Sequence, residues 1–311
     1  MVCQTQYGKP SMTTQAPNIS VVLPAYNCAA FLPQAIDSIL AQTQTDFELL
    51  VVYDHSTDNT LEVIEQYVAK DSRVHLVYGE QKRLVGALNL GIAKARGQFI
   101  ARMDADDISL PTRFALQLAL MQDKGLDFCG TQMLMLDEQS RAIQEVPMPI
   151  TPDLITITLA CTVPFAHGSV MMRKGFLQTH QLQYQAGAAA EDYQFWCKAY
   201  HLGAHFGNVE QFVFQYRYLR QSLSKVHAKV VGQHTSLFRR QYVRDNLQAV
   251  QTAIGHLAPW AKQLSTRDAT FLFLAAYLVF LQTKSPLVFR VARHASLKAI
   301  GLALAKIVMR F

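Results

Sequence analysis

The chain has no C-x-x-C pair and no regular cysteine spacing. Its five cysteines, Cys3, Cys28, Cys129, Cys161 and Cys197, are odd in number and scattered. That argues against a disulfide framework or a thiolate zinc site and fits reduced thiols in a cytoplasmic protein. No apolar run reaches the roughly 20 residues a spanning helix needs. The longest, 269–281, has thirteen residues, of which only Thr270 and Tyr277 are polar. Residues 1–17 lack the apolar segment of a signal peptide and read as a disordered tail. No internal repeat is present. No G-x-G-x-x-G follows the first strand pattern and no Walker lysine motif occurs anywhere, which removes the usual dinucleotide and P-loop sites. Acids are scarce at the rear. Over residues 225–311, 13 Lys and Arg oppose only Asp245 and Asp268, a net +11, while the rest of the chain carries 16 basic and 21 acidic residues, a net −5.

What is present is a packed α/β pattern. Half of the 311 residues are apolar, ample for a core. Residues 19–23, 47–53, 74–78 and 98–103 read as short apolar strands. Helical periodicity lies between them: Leu32, Ala35, Ile36, Ile39 and Leu40, then Leu61, Ile64 and Val68, then residues 84–95. Strands this apolar, alternating with helices, predict a parallel sheet covered on both faces. Ligands of such sheets bind beyond the carboxyl ends of the strands. Asn27, Asp54 and Asp104 all fall at such ends, so one shared crevice is expected. Further along, 169–173 reads as a strand and a helix runs from Glu191 through Tyr200.

The acidic turn in ARMDADDISLP (101–111) crowds Asp104, Asp106 and Asp107 into four positions. Carboxylates that close repel unless a cation sits among them. Oxygen-only ligation suits Mg2+ or Mn2+, which in turn hold phosphate oxygens. D-x-D is also common, and the same aspartates could simply open a turn or cap the helix after Pro111. Glu191-Asp192 has two readings as well: acids favoured at a helix N-terminus, or a carboxylate placed to take a proton.

In order along the chain, ISVVLPAYN (19–27), DHSTDNT (54–60), ARGQFIARMDADD (95–107) and AEDYQFW (190–196) resemble the family 2 inverting glycosyltransferases of the GT-A fold, a likeness covering residues 18–224. The resemblance implies a GT-A, Rossmann-like nucleotide-binding sheet flanked by helices, followed at 225–311 by a helical basic region. It places Pro24, Ala25, Tyr26, Asn27 and Asp54 around the nucleoside of a nucleotide-sugar donor, likewise Asp104, Ala105 and Asp106. Of these, Asp106 would be the direct ligand of Mg2+ or Mn2+, with Asp104 nearer the ribose and metal shell. Asp192 falls at the position of the catalytic base, with Glu191 its rival. Arg217, Ser222 and Ser224 match a further segment, in which Leu219 stands where histidine is frequent. His55 and Arg83 stand where many relatives have glycine. His167 matches a segment near the acceptor side and reads as a structural hydrogen-bonder, Arg102 as a partner for an acid, and Phe195 and Trp196 as core.

The implied activity is transfer of a sugar from a UDP-linked or other nucleotide donor to a glycan or lipid-linked acceptor, in cell-envelope polysaccharide synthesis. The residues alone also admit a sugar-nucleotide-binding protein without transfer, or a nucleotidyltransferase using the same metal logic, although PAYNCAAF supplies it no phosphate-binding cation. Nucleic acid is not an expected partner; a homo-oligomer is compatible. Beyond Pro286, Arg290, Arg293 and Lys298 fall on one face of a continuous helix and Lys306 and Arg310 roughly opposite, with a break expected near Gly301. With +11 over 87 residues, peripheral contact with the anionic inner face of the cell membrane is expected, packing of this region on the core being the alternative.

Overall fold

A computed structural model describes residues 16–187, 189–219 and 228–308. Apart from Ala16 and Pro17, the expected tail lies outside these residues, as do Ser222 and Ser224.

Four strands with aligned ends build the crevice: β1 (Ile19–Ala25), β2 (Phe47–Tyr53), β3 (Val74–Tyr78) and β4 (Phe99–Arg102). They alternate with helices α1 (Leu32–Leu40), α2 (Thr60–Lys70) and α3 (Arg83–Lys94). All four strands are parallel, with Ile19 opposite both Phe47 and Phe99, and Ala25 opposite Tyr53. Pro24 is tolerated in this central strand because the ladder to β4 has already ended at Val22–Arg102, so the missing N–H breaks no bond. The chain continues through β5 (Ile108–Ser109), α4 (Arg113–Lys124), β6 (Phe128–Gly130), β7 (Met133–Leu136), β8 (Ala142–Val146) and α5 (Pro152–Leu159). A 3-10 turn, His167–Ser169, leads into β9 (Met171–Arg173) and α6 (Lys174–Thr179); α7 (Glu191–His201), β10 (Phe206–Asn208) and β11 (Phe214–Arg217) follow.

The main sheet has the order β10-β6-β9-β4-β1-β2-β3. The parallel arrangement expected of the first four strands is found in β1–β4, whereas β9, further along the chain, runs antiparallel to both β4 and β6. A smaller sheet, β5-β11-β7-β8, stands beside it. Residues alternate between two cores. Ile19, Val21, Leu23 and Ala25 join α1, α2 and α4 on one face; Val22, Leu50, Val52 and Ile100 join α3 and α7 on the other.

The second core continues into the basic region, which forms α8 (Ala228–Asp245), α9 (Leu247–Leu257), α10 (Thr266–Thr283), α11 (Leu287–His294) and α12 (Leu297–Val308). Tyr242, Val250, Leu272, Leu274 and Val279 are buried in it, so the apolar run 269–281 is core rather than surface. The break expected near Gly301 falls instead at Ala295-Ser296; Gly301 is interior to α12. The continuous wheel of cations therefore does not exist. Among the described residues no helix is long and apolar enough to cross a membrane.

Candidate functional site

The loops after β1 and β2 are tied together. Asn27 Oδ1 accepts from the Thr57 amide (2.8 Å) and hydroxyl (3.2 Å), while the Asn27 amide donates to Ser56 Oγ (3.0 Å). The Cys28 and Ala29 amides donate to Thr60 Oγ1 and Asp58 Oδ2. Tyr26 is left exposed at the mouth. Asp54, directly after β2, accepts from the Arg83 amide through Oδ2 (3.0 Å), whereas its Oδ1 is buried with no hydrogen-bond partner. Gly79 makes room for it: a Cβ there would stand 2.9 Å from Asp54 Oδ1. Asn27, His55, Gln81 and Arg83 all have positive φ around this crevice. The left-handed region costs an L-residue about 1–2 kcal/mol that glycine avoids, less the extra freedom glycine loses on folding. Arg83→Gly is therefore expected to raise stability by about 0.5–1 kcal/mol in a urea melt.

The acidic turn closes with the Asp107 amide over the Asp104 carbonyl (3.5 Å). Its three carboxylates have different partners. Asp104 pairs with the buried Arg102 guanidinium. Asp107 is buried, accepts from the Arg217 amide through Oδ1 (2.8 Å), and has an unpartnered Oδ2. For Asp106, burial and then the charge of Asp104 push the carboxyl up to about 6. Burial, Asp104 and Asp106 together raise Asp107 well above the usual carboxylate range. Arg217, only 2% exposed, organises the turn from β11: Nε donates to the Asp106 carbonyl (2.9 Å), Nη1 to Ser140 Oγ (2.8 Å) and Nη2 to Gln34 (2.6 Å). It is a structural hub linking α1, the acidic turn and β11.

Gly168 lets the acidic turn pack against the 3-10 turn. A Cβ there would lie 2.6 Å from Phe214 Cζ, 2.8 Å from Asp107 Oδ2 and 3.0 Å from Asp104 Oδ2. Gly168→Ala is expected to cost about 1–3 kcal/mol in a thermal or urea melt, and to displace both carboxylates. Gly175→Ala, where a Cβ meets nothing, is the neutral control.

His167 Nε2 lies 2.9 Å from the Tyr184 hydroxyl. Burial and then Arg102 hold its pKa well below the usual histidine range, leaving a neutral hydrogen-bonder. Tyr184 is fixed by Asn89, which bonds both its amide and its carbonyl, and by stacking on Phe195 at 4.1 Å. The same α7 side packs Phe195 and Trp196 edge-on against Phe128, contacts worth about 0.5–1.5 kcal/mol each. This rigid seat presents Glu191 and Asp192 in the first turn of α7. Burial pushes both up from their ordinary values; Glu191 is also raised by Asp192, and Asp192 is held back by the Tyr193 amide (2.7 Å) and by Arg102. Arg102 and Asp104 act on both acids, and Asp106 acts on Cys28 in the loop after β1. The acidic turn thus lies within electrostatic reach of the start of α7 and of the loop after β1. Among the described residues, no three His, Cys, Asp or Glu side chains converge into a protein-only metal cage.

The comparisons agree with this architecture. A sequence profile described as Glycosyl transferase family 2 matches residues 20–180. The Bacillus subtilis (strain 168) protein EpsE is 33% identical over 210 residues, 65% of this chain and 73% of that one. The Escherichia coli O-antigen biosynthesis glycosyltransferase WbnJ is 31% identical over 212 residues, 67% of this chain and 82% of its own. Staphylococcus aureus TarS 1–349, solved in complex with UDP-GlcNAc, superposes with a TM-score of 0.57 at 18% identity, covering 88% of this chain and 89% of that one. The Pyrobaculum calidifontis mannosyltransferase PcManGT, solved with GDP-Man and Mn2+, does so at 0.56 and 16%, covering 94% and 88%. These structural likenesses define a GT-A fold. The chain belongs to glycosyl transferase family 2, and it is a glycosyltransferase.

Proposed function

We propose that the chain moves a sugar from a UDP-linked donor to a glycan or lipid-linked acceptor hydroxyl, with inversion, in cell-envelope polysaccharide synthesis. The observation that carries this reading is the unequal state of the crevice carboxylates: Asp104 neutralised by Arg102, Asp106 raised to about 6, and Asp192 raised on the α7 side. Pro24, Ala25, Tyr26 and Asn27 border the nucleoside, and the orphaned Asp54 Oδ1 accepts a nucleobase N–H. Ala105 lets the turn lie close to the donor.

Asp106, with Asp104 in the outer shell, is the ligand for Mg2+ or Mn2+. Two carboxylates without a third protein ligand suit Mg2+ or Mn2+, which take much of their coordination from substrate phosphates and water. The unrelieved charge on Asp106 is the observation that the ion fits. When bound, the ion offsets charge developing on the leaving diphosphate. Asp192 takes the acceptor's proton, and attack opposite the departing diphosphate inverts the anomeric carbon. Incubating purified protein with a nucleotide-sugar panel and Mn2+, with and without chelator, tests the reading. Nucleoside diphosphate release from UDP-sugars that chelator stops is expected; binding without turnover, with any acceptor, would favour a non-catalytic receptor.

The proposed location is cytoplasmic, with the outer faces of α11 and α12 against anionic lipid. Support comes from Phe289 (67% exposed) and Leu297 (88% exposed) beside Arg290, Arg293 and Lys298. Truncating 285–311 would uncover α10, since Val288, Val291, Ala299 and Ala303 are buried. Phe289→Glu with Leu297→Glu is the cleaner test. The pair should release the protein from anionic vesicles, as should high salt, because headgroup attraction is screened over about 8–10 Å. Unchanged sedimentation with vesicles would refute the contact.

A further inference from the structure

A second cavity, of about 1030 Å3, opens where α8, α10 and α12 meet, formed by elements that contribute none of the residues of the donor crevice. Its walls divide by chemistry. Arg239, Arg240 and Arg244 line it from α8; Leu278 and Leu281 from α10 and Ile307 from α12 supply aliphatic surface. None of its lining residues is acidic; Asp245, next to the wall, lies 3.9 Å from Arg244 Nε. Leu237 and Leu281 are 60% and 50% exposed, so aliphatic surface stands open beside the arginines. Arg239 is buried, and burial, with Arg240 adding like charge, lowers its pKa. An anion entering here would relieve that repulsion, and an aliphatic chain would cover the leucines. A free phosphate satisfies only the first demand and a neutral lipid only the second.

We propose that this groove binds one anionic phospholipid, its phosphate held by Arg240 and Arg244 and its acyl chains laid along Leu237, Leu278, Leu281 and Ile307. The occupant is a bilayer lipid, and the site deepens the membrane contact proposed above, giving α8 a lipid-specific hold beside the exposed face of α11 and α12. The volume is of the size that encloses a small amphiphile rather than a whole partner surface.

The test uses the full chain and short-chain lipid below its micelle concentration, so that no bilayer is needed. In calorimetric titrations, dihexanoyl-phosphatidylglycerol should bind about tenfold or more tightly than dihexanoyl-phosphatidylcholine and than inorganic phosphate. Arg240→Gln with Arg244→Gln should erase the preference over phosphatidylcholine. Leu281→Trp, which fills the groove from an exposed position, should weaken phosphatidylglycerol about tenfold while donor hydrolysis stays unchanged. Equal binding of the two lipids, phosphate binding as tight as phosphatidylglycerol, or full affinity in Leu281→Trp would each overturn the site. Vesicle sedimentation separates this from the surface reading. Vesicle binding without short-chain lipid binding sinks the groove alone; short-chain binding by a protein that ignores vesicles sinks both the surface contact and the bilayer as the source of the groove's lipid.

Discussion

Asp106→Ala is expected to abolish transfer while leaving the fold intact and the metal-free protein more stable. The loss should reach about three orders of magnitude, because the ion it would hold is worth several kcal/mol to the developing charge. The stability gain has a defined pH window. In the unfolded chain Asp106 ionises near 3.8; in the folded chain it holds its proton to about 6. Between those values the folded state binds the extra proton, so its stability falls as pH rises, and above about 6 the penalty is complete. Removing the carboxylate removes that penalty. The variant should therefore melt higher than the parent at pH 7.5 and no higher below about pH 4. Mn2+ should raise the parent's melting temperature at pH 7.5 and do little for the variant. A variant that retains transfer in the presence of chelator would dismiss Asp106 as the ligand.

The front of the sheet is legible in the sequence because its information is local. Four apolar runs of strand length alternate with helical periodicity, and each run ends on a polar residue that the parallel register carries to the same edge. Asn27, Asp54 and Asp104 each follow a strand of that one parallel set for that reason alone. What is not legible depends on pairing between distant segments. β9 has three residues, too few to show a direction, and its reversal is set by β4 and β6 on either side. Arg217 reaches Gln34 across 183 positions, and Asp107 is bound by the Arg217 amide across 110, so neither role has a local pattern. Gly168 matters through what stands opposite it. The one available signal was its place in AHGS, immediately after a histidine of interest. His55 and Arg83, standing where relatives have glycine, did carry a readable message: both have the positive φ that glycine would adopt freely.

The rear shows the limit of composition as evidence. An apolar run of thirteen residues and a net +11 are equally what a membrane-facing helix or a buried helix with basic neighbours would present. Periodicity could not separate them, because the wheel assumed one helix where Ala295-Ser296 divides two. Packing decides the matter for α10, where Leu272, Leu274 and Leu278 lie in the core with Val250 and Ile254 of α9. It leaves Phe289 and Leu297 exposed on the outer faces of α11 and α12, and Leu237 and Leu281 exposed on α8 and α10, where the proposed lipid contact would fall.

Asp192→Asn is expected to bind donor normally and lose turnover by about two to four orders of magnitude. The amide keeps the shape and the contact with the Tyr193 amide, and it cannot take the acceptor's proton. Glu191 is the competitor, since it adjoins Asp192, is also pushed up from its ordinary value, and responds to the same Arg102 and Asp104 charges. Geometry favours Asp192 through its tether: a carboxylate held by the next backbone amide, at the start of a helix seated on Phe195 and Trp196, has few orientations to lose before reaction. The sign of the pH effect follows from the role. A general base works ionised, so with donor and Mn2+ saturating, kcat should fall as acidification protonates Asp192, beginning at a higher pH than an ordinary aspartate would allow. In Asp192→Asn that acidic limb should disappear from the residual rate, whereas in Glu191→Gln it should persist with kcat reduced far less. If Glu191→Gln loses turnover and the limb while Asp192→Asn keeps both, the proton passes to Glu191, and Asp192 serves only to hold the start of α7.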